Sequence, residues 1–143
     1  PLLGHGPNTF MQVFQEKPYR RRYKDFFPYS PAYAHNCYVQ MGAEVGLLGL
    51  GCFLWILINF FRNIISMIIS KSKNDRNNFL LVVLVGLASA SAGFLAHSFV
   101  DTHLYSLRLS ALFWVMIGLS VSIYNLLSRE ANYDIKKAQP SLT

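Results

Sequence analysis

Apolar residues along this chain gather into three long blocks separated by short polar breaks. The first runs from Gly46 to about Ile69, the second from Phe79 to Phe99, and the third from Leu107 to Leu127. Crossing the hydrocarbon of a bilayer takes about 20 apolar residues in a helix, so each block predicts a transmembrane span. Between them, Lys71 to Asn78 forms a short basic loop and Asp101 to Ser106 a very short turn. Residues 1 to about 33 are polar, aromatic and interrupted by Pro7, Pro18, Pro28 and Pro31, which predicts a segment outside the membrane. A helix is expected to begin near Ala34 and to run on into the first span. Residues 128–143 form a polar tail. The fold class expected is all-α: a polytopic helical membrane protein with about three spans (46–69, 79–99, 107–127). Residues 1–45 form a loop segment and the start of the first helix.

Composition agrees. Of 143 residues, 52% are hydrophobic and only 14% charged, against roughly 25% charged in soluble domains. The opening Pro1-Leu2-Leu3-Gly4 carries neither an initiator methionine nor a basic start, so no signal peptide is expected in it. A chain that begins in loop-like sequence and places its spans late is expected to be the C-terminal part of a larger protein. Basic residues divide six against seven between the two sides, with Arg20, Arg21 and Arg22 far from any span and Lys71, Lys73 and Arg76 beside one. Charges close to span ends weigh most in setting topology. The Lys71 loop and the tail are therefore expected to be cytoplasmic, and the N-terminal segment extracytoplasmic.

Candidate chemistry clusters at two places. In the first, His35-Asn36 is followed, after nine residues, by Gly46-Leu47-Leu48-Gly49. On one continuous helix, His35, Val39, Gly42, Gly46 and Gly49 would share a face, and Gln40 would stack under Glu44. Glycines on such a face let a second helix approach closely, and the histidine would otherwise be a simple interfacial anchor. In the second, His97-Ser98-Phe99-Val100-Asp101-Thr102-His103 closes span two. If that helix continues, His97 and Asp101 lie one turn apart and pair; otherwise Asp101 caps the third helix. A zinc site from His97, Asp101 and His103 would be undercoordinated, so no metal and no cofactor is expected. Cys37 and Cys52 lie too far apart along a helix for a disulfide; Cys52 is expected in the core and Cys37 as a free thiol. Gly86, Ser89, Ala90 and Gly93 suit close helix packing.

The segment Ala34 to Gly49 resembles the signature of the O-antigen ligase and polymerase superfamily: His-Asn/Ser/Gln, nine residues, then Gly-x-x-Gly. The stretch Gly4-His5-Gly6-Pro7-Asn8-Thr9-Phe10 is similar to one that precedes the large loop there, and His97 to Asp101 also resembles the superfamily. The resemblance implies an enzyme of cell-envelope polysaccharide biosynthesis in the bacterial inner membrane. It would transfer a glycan, without a metal, from a polyprenyl-diphosphate carrier to an acceptor hydroxyl of a glycan, lipid or protein on the extracytoplasmic face. His35 would be the general base, with Asn36 orienting it or the substrate. Arg20, Arg21, Arg22, Tyr38 and Glu44 would contact diphosphate or glycan, with Glu44 serving alternatively as a structural partner of Gln40 or of a loop arginine. His97 and Asp101 are secondary candidates. No nucleic acid is expected as a partner, and this stretch alone is expected to be inactive. Relatives tied to bicarbonate uptake carry a stretch similar to His97–Thr102, so a transporter is the rival expectation, with a noncatalytic membrane scaffold as a third.

Overall fold

The computed structural model describes residues 2–15, 34–72 and 79–138. Arg20, Arg21, Arg22, most of the basic loop after Lys71 and the end of the tail lie outside the described residues. The described chain is all-α. A short helix α1 (Phe10–Gln15) precedes α2 (Cys37–Glu44), α3 (Gly46–Ser72) and α4 (Phe79–His97); a single 3₁₀ turn (His103–Tyr105) leads into α5 (Leu107–Ala138). Three stretches, Gly46–Lys71, Phe79–His97 and Leu107–Tyr133, are long and apolar enough to cross a membrane. In their most apolar windows only 22%, 22% and 11% of residues are buried. Most of that apolar surface therefore faces outward, as a bilayer solvent requires. This is a membrane protein.

Contacts divide the chain into two units. One comprises Pro1–Ile56 with Leu95–Ser110, the other Leu57–Phe94 with Ala111–Thr143. The second unit is a helical core in which Leu57, Phe60 and Ile64 of α3, Leu81 and Leu84 of α4, and Phe113, Ile117 and Leu127 of α5 are buried. Phe94 stacks on Phe113 with ring centroids 5.0 Å apart. The buried Ser91 and Ser120 hydroxyls donate to the carbonyls four residues earlier, Leu87 (2.9 Å) and Met116 (2.7 Å), so neither leaves an unsatisfied polar group in the apolar layer. Among the described residues, a Cβ at Gly86 or Gly93 of α4 would meet nothing within 4 Å, so these two glycines are not explained by close packing there.

Several expectations are corrected. The helix does not run unbroken from Ala34: α2 starts at Cys37 and stops at Glu44, and Gly46, the first residue of α3, takes φ +82. His35 sits outside any helix at φ +51, so the common face of His35, Val39 and the glycines does not exist. Cys52 is exposed rather than in a core, whereas Cys37 is a free thiol, as expected, but fully buried. The last helix passes the apolar block and reaches Ala138, since residues 128–138 contain no proline or glycine to stop it. Span two ends at His97, two residues short of expectation.

Candidate functional site

The first unit holds both candidate clusters, and its geometry starts from the break before α3. Gly4 (φ +68) and Gly46 (φ +82) lie backbone to backbone. A Cβ on Gly46 would overlap the Leu2 carbonyl and come within 2.6 Å of the Gly4 nitrogen; one on Gly4 would overlap the Glu44 carbonyl. Only glycine tolerates such backbone at no steric cost. Across this contact the N-terminal loop is stitched to the helices: His5 N–H donates to Ala43 (3.1 Å), Gly6 N–H to Glu44 (2.9 Å), and Leu48 N–H to Leu2 (3.4 Å). The second glycine of the Gly-x-x-Gly step has its own reason, because a Cβ on Gly49 would strike the Val45 side chain.

Glu44 is the hub of this loop. It is 2% exposed, and a buried carboxylate needs donors. Its oxygens accept from the backbone N–H groups of Asn8 (2.7 Å) and Phe10 (3.2 Å) and from Gln40 Nε2 (3.3 Å). The Tyr105 hydroxyl also hydrogen-bonds it. Burial pushes the Tyr105 phenol strongly upward, and the negative charge of Glu44 adds to the shift. All of these donors belong to the chain, so Glu44 is a structural anchor, and the Gln40–Glu44 stacking expected from the sequence is present. Asn8, Phe10 and Tyr105 are not among the candidate residues; the Gly4–Phe10 stretch holds the signal for the first two, but it stands out in the sequence only by its resemblance.

The His35 corner is fixed from both sides. Asn36 is the N-cap of α2: its Oδ1 accepts from Tyr38 N–H (3.0 Å) and Val39 N–H (2.9 Å), and its Nδ2 donates to the Phe99 carbonyl (2.9 Å). On the other side, Ala34 N–H donates to Gln40 Oε1 (3.2 Å). Between these two anchors the backbone of His35 is held in the left-handed region, which costs a non-glycine residue about 1–2 kcal/mol. The imidazole itself is exposed and, among the described residues, makes no hydrogen bond. The Tyr38 hydroxyl donates to the Leu95 carbonyl (2.8 Å) and its ring lies 4.5 Å from that of Phe99. Tyr38, offered as a substrate contact, is thus engaged within the chain, and burial raises its phenol. Cys37 N–H donates to Ser98 (2.9 Å), its Sγ accepts from Leu104 N–H (3.4 Å), and burial pushes the thiol up.

The second cluster differs from either expected arrangement. Because α4 stops at His97, Asp101 cannot stack beneath it, and it does not cap α5. Asp101 Oδ1 accepts from Thr102 N–H (2.7 Å), while Oδ2 lies 3.7 Å from His103 Nδ1. The other ring nitrogen of His103 is 2.6 Å from His97 Nδ1, with the two rings stacked at 4.4 Å. His97 and Asp101 are thus joined through His103. Among the described residues no group of three His, Cys, Asp or Glu side chains is placed to hold a metal ion. A cavity of about 400 Å³ opens beside Asp101 and His103.

No family model matches this chain, and no curated protein or solved structure does either. What can be said of function comes from the residues.

Proposed function

We propose that this chain carries the proton-accepting end of a membrane glycan transferase. A glycan on a polyprenyl diphosphate such as undecaprenyl diphosphate passes to an acceptor hydroxyl on the extracytoplasmic face of a bacterial inner membrane. The observation that carries the reading is His35, an exposed imidazole on a strained, doubly anchored corner eleven residues before the span that starts at Gly46. Strain held in place by its surroundings is characteristic of functional positions. An imidazole is also the side chain suited to taking a proton near neutral pH.

In this reaction the acceptor oxygen attacks the anomeric carbon and its proton goes to the His35 imidazole. The bond from that carbon to the diphosphate oxygen breaks, and the lipid diphosphate leaves with the electron pair. Asn36 serves as a positioning residue: its cap sets the direction in which His35 leaves the helix. Arg20, Arg21 and Arg22 would neutralise the leaving diphosphate through guanidinium forks. Transfer measured on the intact protein in membranes, with a polyprenyl-diphosphate-linked glycan, tests the reading. Loss of a positioned base costs about 10²- to 10⁴-fold, so His35→Ala should lose at least that while inserting and folding normally. Undiminished transfer removes His35 from the mechanism.

A transporter is the second reading, and the His97–His103–Asp101 chain favours it, because hydrogen-bonded imidazoles suit proton movement. It requires solute flux in vesicles that is independent of any lipid-linked sugar.

A further inference from the structure

The cavity beside the second cluster has its own chemistry. It holds about 400 Å³ and is walled by Asp101, Thr102, His103, Tyr105, Ser106 and Leu109. All six come from the connection between α4 and α5 and its first helical turn, so it lies where the chain leaves one span and enters the next. Small-ligand sites start at about 300 Å³, which makes this room for one small ring rather than a chain.

Its walls distinguish between ligand classes. Asp101 is fixed by Thr102 N–H and His103, yet a carboxylate offers about four lone-pair sites, leaving acceptors for ligand hydroxyls. The hydroxyls of Thr102 and Ser106 have no hydrogen-bond partner among the described residues, and each can donate or accept. The Tyr105 hydroxyl is committed to Glu44, so that residue offers its ring, and Leu109 adds an apolar patch. The walls contain a carboxyl group and neither lysine nor arginine, so a phosphate would find no guanidinium or ammonium partner there. Alternating donors and acceptors with an apolar patch match the hydroxyls and C–H face of a neutral pyranose.

We propose that this cavity is a subsite for a single neutral sugar ring. Its role in catalysis rests on the transferase reading, while the binding itself does not. Saturation-transfer NMR on the intact protein in nanodiscs tests it, with methyl glucoside, methyl mannoside and N-acetylglucosamine as probes and inorganic pyrophosphate as competitor. At least one pyranoside should bind without competition from pyrophosphate, and Thr102→Val/Ser106→Ala should weaken it tenfold or more. Leu109→Trp, which fills the cavity without removing a polar group, should do the same if the double variant folds poorly. Binding undiminished in the variants, no binding by any pyranoside, or displacement by pyrophosphate overturns the subsite. Sugar binding by a protein that transfers no glycan would leave the subsite standing and remove the transferase reading. Transfer with unchanged KM values in both variants would do the reverse.

Discussion

Substituting Gly46 with alanine tests the clamp on which the His35 corner stands. Alanine at φ +82 adds about 1–2 kcal/mol of backbone strain. Its methyl overlaps the Leu2 carbonyl and crowds Gly4, so the N-terminal loop must withdraw. Full withdrawal breaks three backbone hydrogen bonds, His5 to Ala43, Gly6 to Glu44 and Leu48 to Leu2, each worth about 1 kcal/mol. It also breaks the Asn8 bond to the Glu44 carboxylate, worth about 2 kcal/mol as a charged bond. The clamp therefore totals about 5 kcal/mol, and partial withdrawal should forfeit about 3 kcal/mol of it. At 1.4 kcal/mol per factor of ten, the amides of His5, Gly6 and Asn8 should exchange about 10²-fold faster in hydrogen–deuterium exchange of the detergent-solubilised protein. Gly86→Ala is the control: its Cβ meets nothing, and helix propensity favours it by about 0.8–1 kcal/mol. Wild-type exchange rates in Gly46→Ala, or the same acceleration in Gly86→Ala, would refute the reasoning.

Asn36→Ala removes an N-cap and the tie to Phe99 and should cost about 1–2 kcal/mol, read as a lower thermal unfolding midpoint and faster exchange at Tyr38 and Val39. Glu44→Gln turns one acceptor oxygen into a donor facing a backbone N–H and should cost about 1–3 kcal/mol in the same unfolding measurement. The buried Cys37 should resist N-ethylmaleimide until the chain unfolds, with mass spectrometry locating the adduct. Stability against denaturant should be flat from pH 6 to 8 as far as Cys37, Tyr38 and Tyr105 are concerned. All three groups titrate higher in the folded chain than in the unfolded one. Above about pH 9 the unfolded chain alone releases these protons, so stability must fall with further rise in pH; a rising curve there would contradict the burial of these side chains.

The spans were legible because twenty-residue apolar blocks admit few other solutions, and their starts at Gly46, Phe79 and Leu107 match the sequence expectation. The break at Gly46 was not legible. Gly-Leu-Leu-Gly reads locally as helix, and the cause of its positive φ is Gly4, forty-two residues away, pressed against it. His35 and Asn36 stood out as a pair, but their arrangement depended on that break: one became a cap and the other an exposed side chain on strained backbone. Likewise the bond between His97 and His103 requires α4 to end, which helical periodicity alone does not reveal.

The braced break has a consequence for how the protein meets bilayers of different thickness. The first span has 26 residues, about 39 Å of helix, against a hydrocarbon core of about 30 Å. Such an excess is absorbed by tilt, and tilt varies with the lipid. An unbraced glycine joint would let α3 lean while α2 stayed behind, dragging the His35 corner out of register with every change of membrane. With loop residues bonded to Ala43 and Glu44 on one side of the joint and to Leu48 on the other, the corner stays tied to the first turn of α3 instead of swinging at a free glycine joint.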